Sequence, residues 1–261
     1  MKKVMANCLG LFMLALFFQA SAQKGKPVTI FQLTVYHFAN SDQEARLDSY
    51  LKDALLPALH RKGFAKVGVF KPIANDTAAD KRIYVLLPLA NISQAGEWDN
   101  LVGKDAVYTA AADAYINTGF RDPAYGRIEN ILLKPFRLAQ QLTPSGLSGD
   151  KTKQVYELRS YESPSEKRFR NKVHMFNEGG EIELFKRLNF NAVFYGEVIA
   201  GATMPNLMYM TSFSDMADRE AHWKSFGEAP EWKKLIADPY YKENMNKNVQ
   251  VLMHATAYSD Y

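Results

Sequence analysis

The chain repeats itself once, and a repeat of this length dictates a duplicated domain rather than a solenoid unit. Residues 30–38 (Ile-Phe-Gln-Leu-Thr-Val-Tyr-His-Phe) lie over residues 155–163 at an offset of 125. That offset pairs Phe31 with Tyr156, Leu33 with Leu158, Tyr36 with Tyr161, Tyr84 with Tyr209 and Trp98 with Trp223. An offset of 126 pairs Phe64 with Phe190. The repeat divides the chain into residues 28–138, a Ser/Gly/Thr/Lys-rich linker over 139–153, and residues 154–261.

Each half reads as strand, helix, strand, strand, helix, strand. In the second half the spacing predicts strands at 154–161, 192–199, 207–213 and 249–258, with helices from 165 to 189 and 216 to 226 and a helical turn opened by Pro230. The first half answers with strands at 29–38, 66–70, 82–88 and 130–136 and helices over 42–62 and 93–117. Gly63 and Asn189 stand where helix ends take the left-handed conformation. The order βαββαβ is the ferredoxin-like topology, with helices on one sheet face. The expected fold is therefore α+β: two ferredoxin-like βαββαβ repeats packed sheet to sheet, as a sandwich or as a closed barrel inside one chain. The chain would then be a pseudo-dimer of its own halves.

Residues 1–22 read as an export signal: Lys2 and Lys3, an apolar run from Leu9 to Phe18, and Ala20-Ser21-Ala22 as the cleavage site. The expected location is periplasmic or secreted, with no membrane span after cleavage. Removing 22 of the 261 residues leaves 239, and losing both lysines takes the formal charge from +4 to +2. No basic stripe points to nucleic acid. The single cysteine, Cys8, lies inside the signal. Cysteine nucleophiles, disulfides and Cys-ligated metals are thus excluded from the mature part. With 16 Phe and 14 Tyr, pockets should be aromatic-lined, suiting a small apolar or aromatic ligand.

The run Val155-Tyr156-Glu157-Leu158-Arg159-Ser160-Tyr161 resembles the opening strand of NIPSNAP domains. Ala229-Pro230-Glu231-Trp232-Lys233-Lys234-Leu235, following Trp223, resembles their closing helical signature. The likeness covers about residues 153–258. The first half is similar to a degenerate copy: Gln32 stands for Glu157, Thr34 for Arg159, and Pro-Glu-Trp is missing. The resemblance implies the dimeric α+β barrel class, which includes small heme-degrading and cofactor-free monooxygenases. It implies no agreed reaction. An export signal departs from the family's intracellular members.

Alternation along 154–161 places Glu157, Arg159 and Tyr161 on one face. Buried charges need partners, so Glu157 and Arg159 read either as a structural ion pair or as an anion-orienting pair in a pocket. His174 and Glu178 stand four apart on one helix face, but a third ligand is missing and no metal is expected. His174 is also the candidate general base or heme ligand, heme being the alternative to the expectation of no cofactor. Gly179-Gly180 should kink the helix or mark a close approach. Tyr209 and Trp223 complete the candidate cleft, together with Glu157, Arg159, Tyr161 and His174. No phosphate loop, nucleophile elbow or His-Glu-x-x-His motif appears. The expected function is a small-molecule-binding or interaction module; the alternative is a cofactor-independent or heme-dependent monooxygenase-like enzyme. The motif residues place the expected cleft in the second half.

Overall fold

Residues 30–261 are described by the structure, a computed structural model. Residues 1–22, read above as an export signal, lie outside them. In chain order the first half comprises β1 (Ile30–Phe38), α1 (Ser41–Ser49), a π-helical turn (Tyr50–Leu55), α2 (Leu56–Arg61), β2 (Gly68–Pro72), β3 (Lys81–Leu89), the short helices α3 (Asp99–Val102), α4 (Ala106–Ala111) and α5 (Asp113–Ile116), and β4 (Arg127–Pro135). The second half comprises β5 (Val155–Glu162), α6 (Glu166–Asn177), α7 (Glu181–Arg187), β6 (Asn191–Ala200), β7 (Asn206–Phe213), α8 (Met216–Glu228), α9 (Pro230–Ala237) and β8 (Lys247–Ala255).

The eight strands close into one antiparallel barrel in the order β1-β3-β2-β8-β5-β7-β6-β4. Within each half the order is that of a ferredoxin-like sheet. The halves join edge to edge, β2 on β8 and β4 on β6. Closure removes every free sheet edge, the usual template for unwanted pairing. The chain thus forms the α+β barrel expected from its repeat, and it is the closed barrel rather than the sandwich.

Alternation sets the layers. Phe31, Leu33 and Val35 of β1 and Tyr156 and Leu158 of β5 point into the barrel, where they meet Phe70, Met208 and Met210. The interior is a packed core. Leu142 of the segment between the halves and Tyr261 also bury there. The alternate residues face outward into two separate helix-covered clusters, one per half.

The strands correct one pairing of the repeat. Tyr84 points into the barrel, whereas Tyr209 faces the helices. Thr34 sits opposite Val85, and Arg159 opposite Tyr209. The offset is therefore 124 here, and Val85 is the counterpart of Tyr209. A one-residue slip turns a side chain to the other face.

The helices are more broken than their spacing suggested. Pro57 has no N–H to continue an α-helical ladder, and the turn before it is π-helical, with the Leu56 amide donating to the Leu51 carbonyl. The stretch expected over 93–117 is three short helices. Asp105 restarts the chain there by accepting from the Val107 and Tyr108 amides. The single helix expected from 165 to 189 is α6 and α7, parted at Gly179-Gly180, where Gly180 has φ +92. Gly63 and Asn189 have φ of +84 and +58, as helix ends require. Among the described residues no helix is long and apolar enough to cross a membrane.

Candidate functional site

In the second half Glu157, Arg159 and Tyr161 share the helix-facing side of β5, outside the barrel. Glu157 is fully buried. Its carboxylate accepts from Arg159 Nε at 2.6 Å, from Arg219 Nε and Nη2 at 2.7 and 3.1 Å, and from Trp223 Nε1 at 2.7 Å. Arg219 and Trp223 stand four apart on α8, so one helix face delivers both. The Arg159 guanidinium also lies 3.7 Å from the centre of the Trp223 ring. Its Nη1 donates to the Tyr161 hydroxyl at 3.3 Å, which is 2.8 Å from the Tyr209 hydroxyl. Burial holds Tyr209 far above the ordinary phenol range.

A second ion pair closes the other end of this layer. Lys172 Nζ on α6 meets Glu181 Oε2 on α7 at 3.0 Å, with side chains 5% and 2% exposed. The ammonium also lies 4.8 Å from the Phe176 ring centre and 5.4 Å from that of Tyr161. Burial pushes the Glu181 carboxyl up, and Lys172 opposes it.

Five of the six candidate residues, Glu157, Arg159, Tyr161, Tyr209 and Trp223, therefore come together. Hydrogen bonds and a cation–π contact join them directly. His174 does not join: it lies at the α6 surface, its Nδ1 2.9 Å from the Tyr241 hydroxyl. Among the described residues no group of three or more His, Cys, Asp or Glu could hold a metal ion. Arg219, Lys172 and Glu181 were not singled out from the sequence. The signal for Arg219 was the demand of a buried Glu157 for charged partners, together with the four-residue spacing to Trp223.

An open aromatic cleft lies instead in the first half, between the same sheet face and its helices. It measures about 740 Å³, and Tyr50, Trp98, Tyr108, Tyr115 and Tyr125 line it, with Thr34 and Asn130 among its polar residues. Position 34 is the counterpart of Arg159 and position 85 that of Tyr209. Thr34 lines the cleft where the second half has Arg159, whereas Val85 is buried in the first-half core. Gln32, the counterpart of Glu157, turns to the backbone: its amide donates to the Gly96 carbonyl and accepts from the Gly96 N–H, both at 2.9 Å. Thr34 Oγ1 donates to Asn130 Oδ1 at 2.6 Å, which leaves the Asn130 amide hydrogens for a ligand. The π-helical turn opens at Tyr50, whose ring stacks on Tyr115 at 3.6 Å and whose hydroxyl is 3.1 Å from that of Tyr108. Trp98 Nε1 donates to the Tyr36 hydroxyl at 2.7 Å. Burial raises the hydroxyl pKa of Tyr36, Tyr50 and Tyr115 above the ordinary value, so all three stay neutral at physiological pH. The sequence carried a signal for this cleft in the smaller residue at 34, which looks like motif loss until its register is known.

Residues 156–260 match the NIPSNAP family model. No curated protein matches the chain. Among solved structures it is similar to a protein described as a candidate monooxygenase from Lactobacillus acidophilus: 11% identity, 87% of this chain and 94% of that one covered, TM-score 0.57. A second protein so described, from Fusobacterium nucleatum, covers 88% of this chain and 93% of its own at 8% identity and TM-score 0.59. A NIPSNAP family protein from Agrobacterium tumefaciens aligns with 41% of this chain and 96% of its own at 18% identity and TM-score 0.36. At such identities, likeness to the first two shows the fold alone. The chain carries a NIPSNAP domain in its second half, and both halves together build the dimeric α+β barrel fold.

Proposed function

We propose that the chain is an exported binding protein for a small aromatic or apolar molecule, held in the cleft of the first half. The observation that carries this reading is the 740 Å³ space beneath the first-half helices, lined by six aromatic rings, those of Tyr50, Trp98, Tyr108, Tyr115, Phe120 and Tyr125, together with Thr34 and Asn130. Its volume falls within the roughly 300–1,000 Å³ of small-molecule sites, and its make-up is typical of them, apolar walls with a few convergent polar groups. The second half plays the rigid partner: its equivalent space is closed by the Glu157, Arg159, Arg219 and Trp223 contacts. The export part of the reading rests on Lys2, Lys3, the apolar run and Ala20-Ser21-Ala22.

The test titrates the purified chain with 2-naphthol by calorimetry. Thr34→Arg places in the cleft the side chain that fills the second half, and Tyr115→Ala removes a wall. Both should weaken binding tenfold or more while the circular dichroism stays that of the parent. Binding unchanged in both variants, or no binding by the parent, would overturn the reading.

A further inference from the structure

We propose that the first-half cleft takes a cationic ligand, a quaternary or methylated ammonium group carried on an aromatic or apolar body. The inference rests on the binding reading above and adds the charge of the ligand's head.

The two halves give an internal comparison. In the second half a cation occupies the aromatic layer beneath the helices: the Arg159 guanidinium sits 3.7 Å from the Trp223 ring centre. The first half has Trp98 in its cleft, matched to Trp223 by sequence but bonded to Tyr36 rather than to a carboxylate, and Thr34 and Gln32, both uncharged, stand where the second half has Arg159 and Glu157. An aromatic layer that holds a cation in one copy is left without one in the other. Ring faces are electron-rich and attract cations, more strongly as water is excluded. Compact, weakly hydrated cations such as quaternary ammonium groups are the ones aromatic cages recognise.

Charge around the cleft points the same way. Glu97 and Asp99 line it, no Lys or Arg does, and neither carboxylate is in an ion pair among the described residues. The lining thus has a formal charge of −2. An anionic ligand would meet these carboxylates with no basic residue to orient it. A cation meets two charges of opposite sign at the mouth and neutral tyrosines within. Burial keeps the Tyr50, Tyr108 and Tyr115 phenols protonated, so cation–π attraction and not ion pairing acts on them.

The test compares three ligands of one shape by calorimetry: phenyltrimethylammonium, its neutral isostere tert-butylbenzene, and benzenesulfonate. The cation should bind at least about tenfold more tightly than the neutral isostere, in keeping with a desolvated cation–π contact. Benzenesulfonate should bind more weakly than either. Glu97→Gln with Asp99→Asn should narrow the gap between cation and isostere without abolishing the binding of either. Thr34→Arg should abolish cation binding by supplying its own guanidinium. If tert-butylbenzene binds as tightly as the cation, the inference falls and the aromatic-binding reading stands. If none of the three binds, both fall. Tighter binding of benzenesulfonate than of the cation also overturns the inference.

Discussion

Thr34 and Arg159 hold the same register position in the two halves, Thr34 opposite Val85 and Arg159 opposite Tyr209. One position thus separates a cleft from a packed layer. Where the residue is arginine, it bonds Glu157 and covers Trp223; where it is threonine, it bonds Asn130 and leaves the rings to line a cavity.

Glu157→Gln should be strongly destabilising. The variant keeps the side chain's shape but leaves Arg159 and Arg219 facing each other without their shared carboxylate. Breaking a buried ion pair by removing one partner costs about 3–5 kcal/mol. Urea unfolding would measure it as a fall in midpoint at constant slope. Glutamine is tolerated at the equivalent Gln32 because no arginine meets it there and Gly96 supplies both a donor and an acceptor. A cost below about 1 kcal/mol would show that the two arginines find solvent instead.

Lys172 and Glu181 should behave differently singly and together. Lys172→Met leaves a buried carboxylate without its partner and should cost about 3–5 kcal/mol. Lys172→Met with Glu181→Leu removes both charges from an aromatic layer and should recover most of that loss. A double-mutant cycle by urea unfolding reads the coupling directly. Additive losses would mean that the pair is not coupled.

The barrel was legible because its evidence is periodic: alternating strands, a repeated order and a repeat length that matches a domain. The clustering of Glu157, Arg159 and Tyr161 followed from alternation alone. Less was legible where one residue changes the face. Tyr84 and Tyr209 matched as letters, yet they lie on opposite sides of the sheet. His174 and Tyr241 meet although two helices of the second half, α8 and α9, two strands and α7 lie between them in the chain, which spacing cannot foresee. The cleft was hidden for a related reason. Space is the absence of side chains, and the small residue Thr34 means space only once its neighbours are known.

The break between α6 and α7 requires its two glycines for different reasons. Gly180 has φ +92 with open space around its Cβ position, so Gly180→Ala meets only backbone strain, about 1 kcal/mol. A Cβ on Gly179 would lie 2.6 Å from the Met175 carbonyl oxygen and 2.8 Å from the Tyr241 hydroxyl. The tyrosine can swing away, but the helix backbone cannot, so Gly179→Ala should cost more than Gly180→Ala. Thermal melts of the two variants give the order, and Gly179→Ala with Tyr241→Phe should recover little.

The buried tyrosines set an alkaline limit to stability. Tyr36, Tyr50 and Tyr115 have folded-state pKa values raised by burial above the ordinary value of about 10 that they regain on unfolding. Between the two values the unfolded chain has lost protons that the folded chain keeps. Stability therefore falls as pH rises above about 10, and it is undiminished by this term below that value. Each such tyrosine steepens the fall by about 1.4 kcal/mol per pH unit. Tyrosinate absorbance of these rings should then appear only together with loss of circular dichroism, as one cooperative alkaline transition. Tyr36→Phe, Tyr50→Phe and Tyr115→Phe should each make the fall less steep, because each removes one group whose ionisation favours the unfolded chain. Ionisation of the cleft tyrosines well before unfolding would show that water reaches their hydroxyls in the folded state.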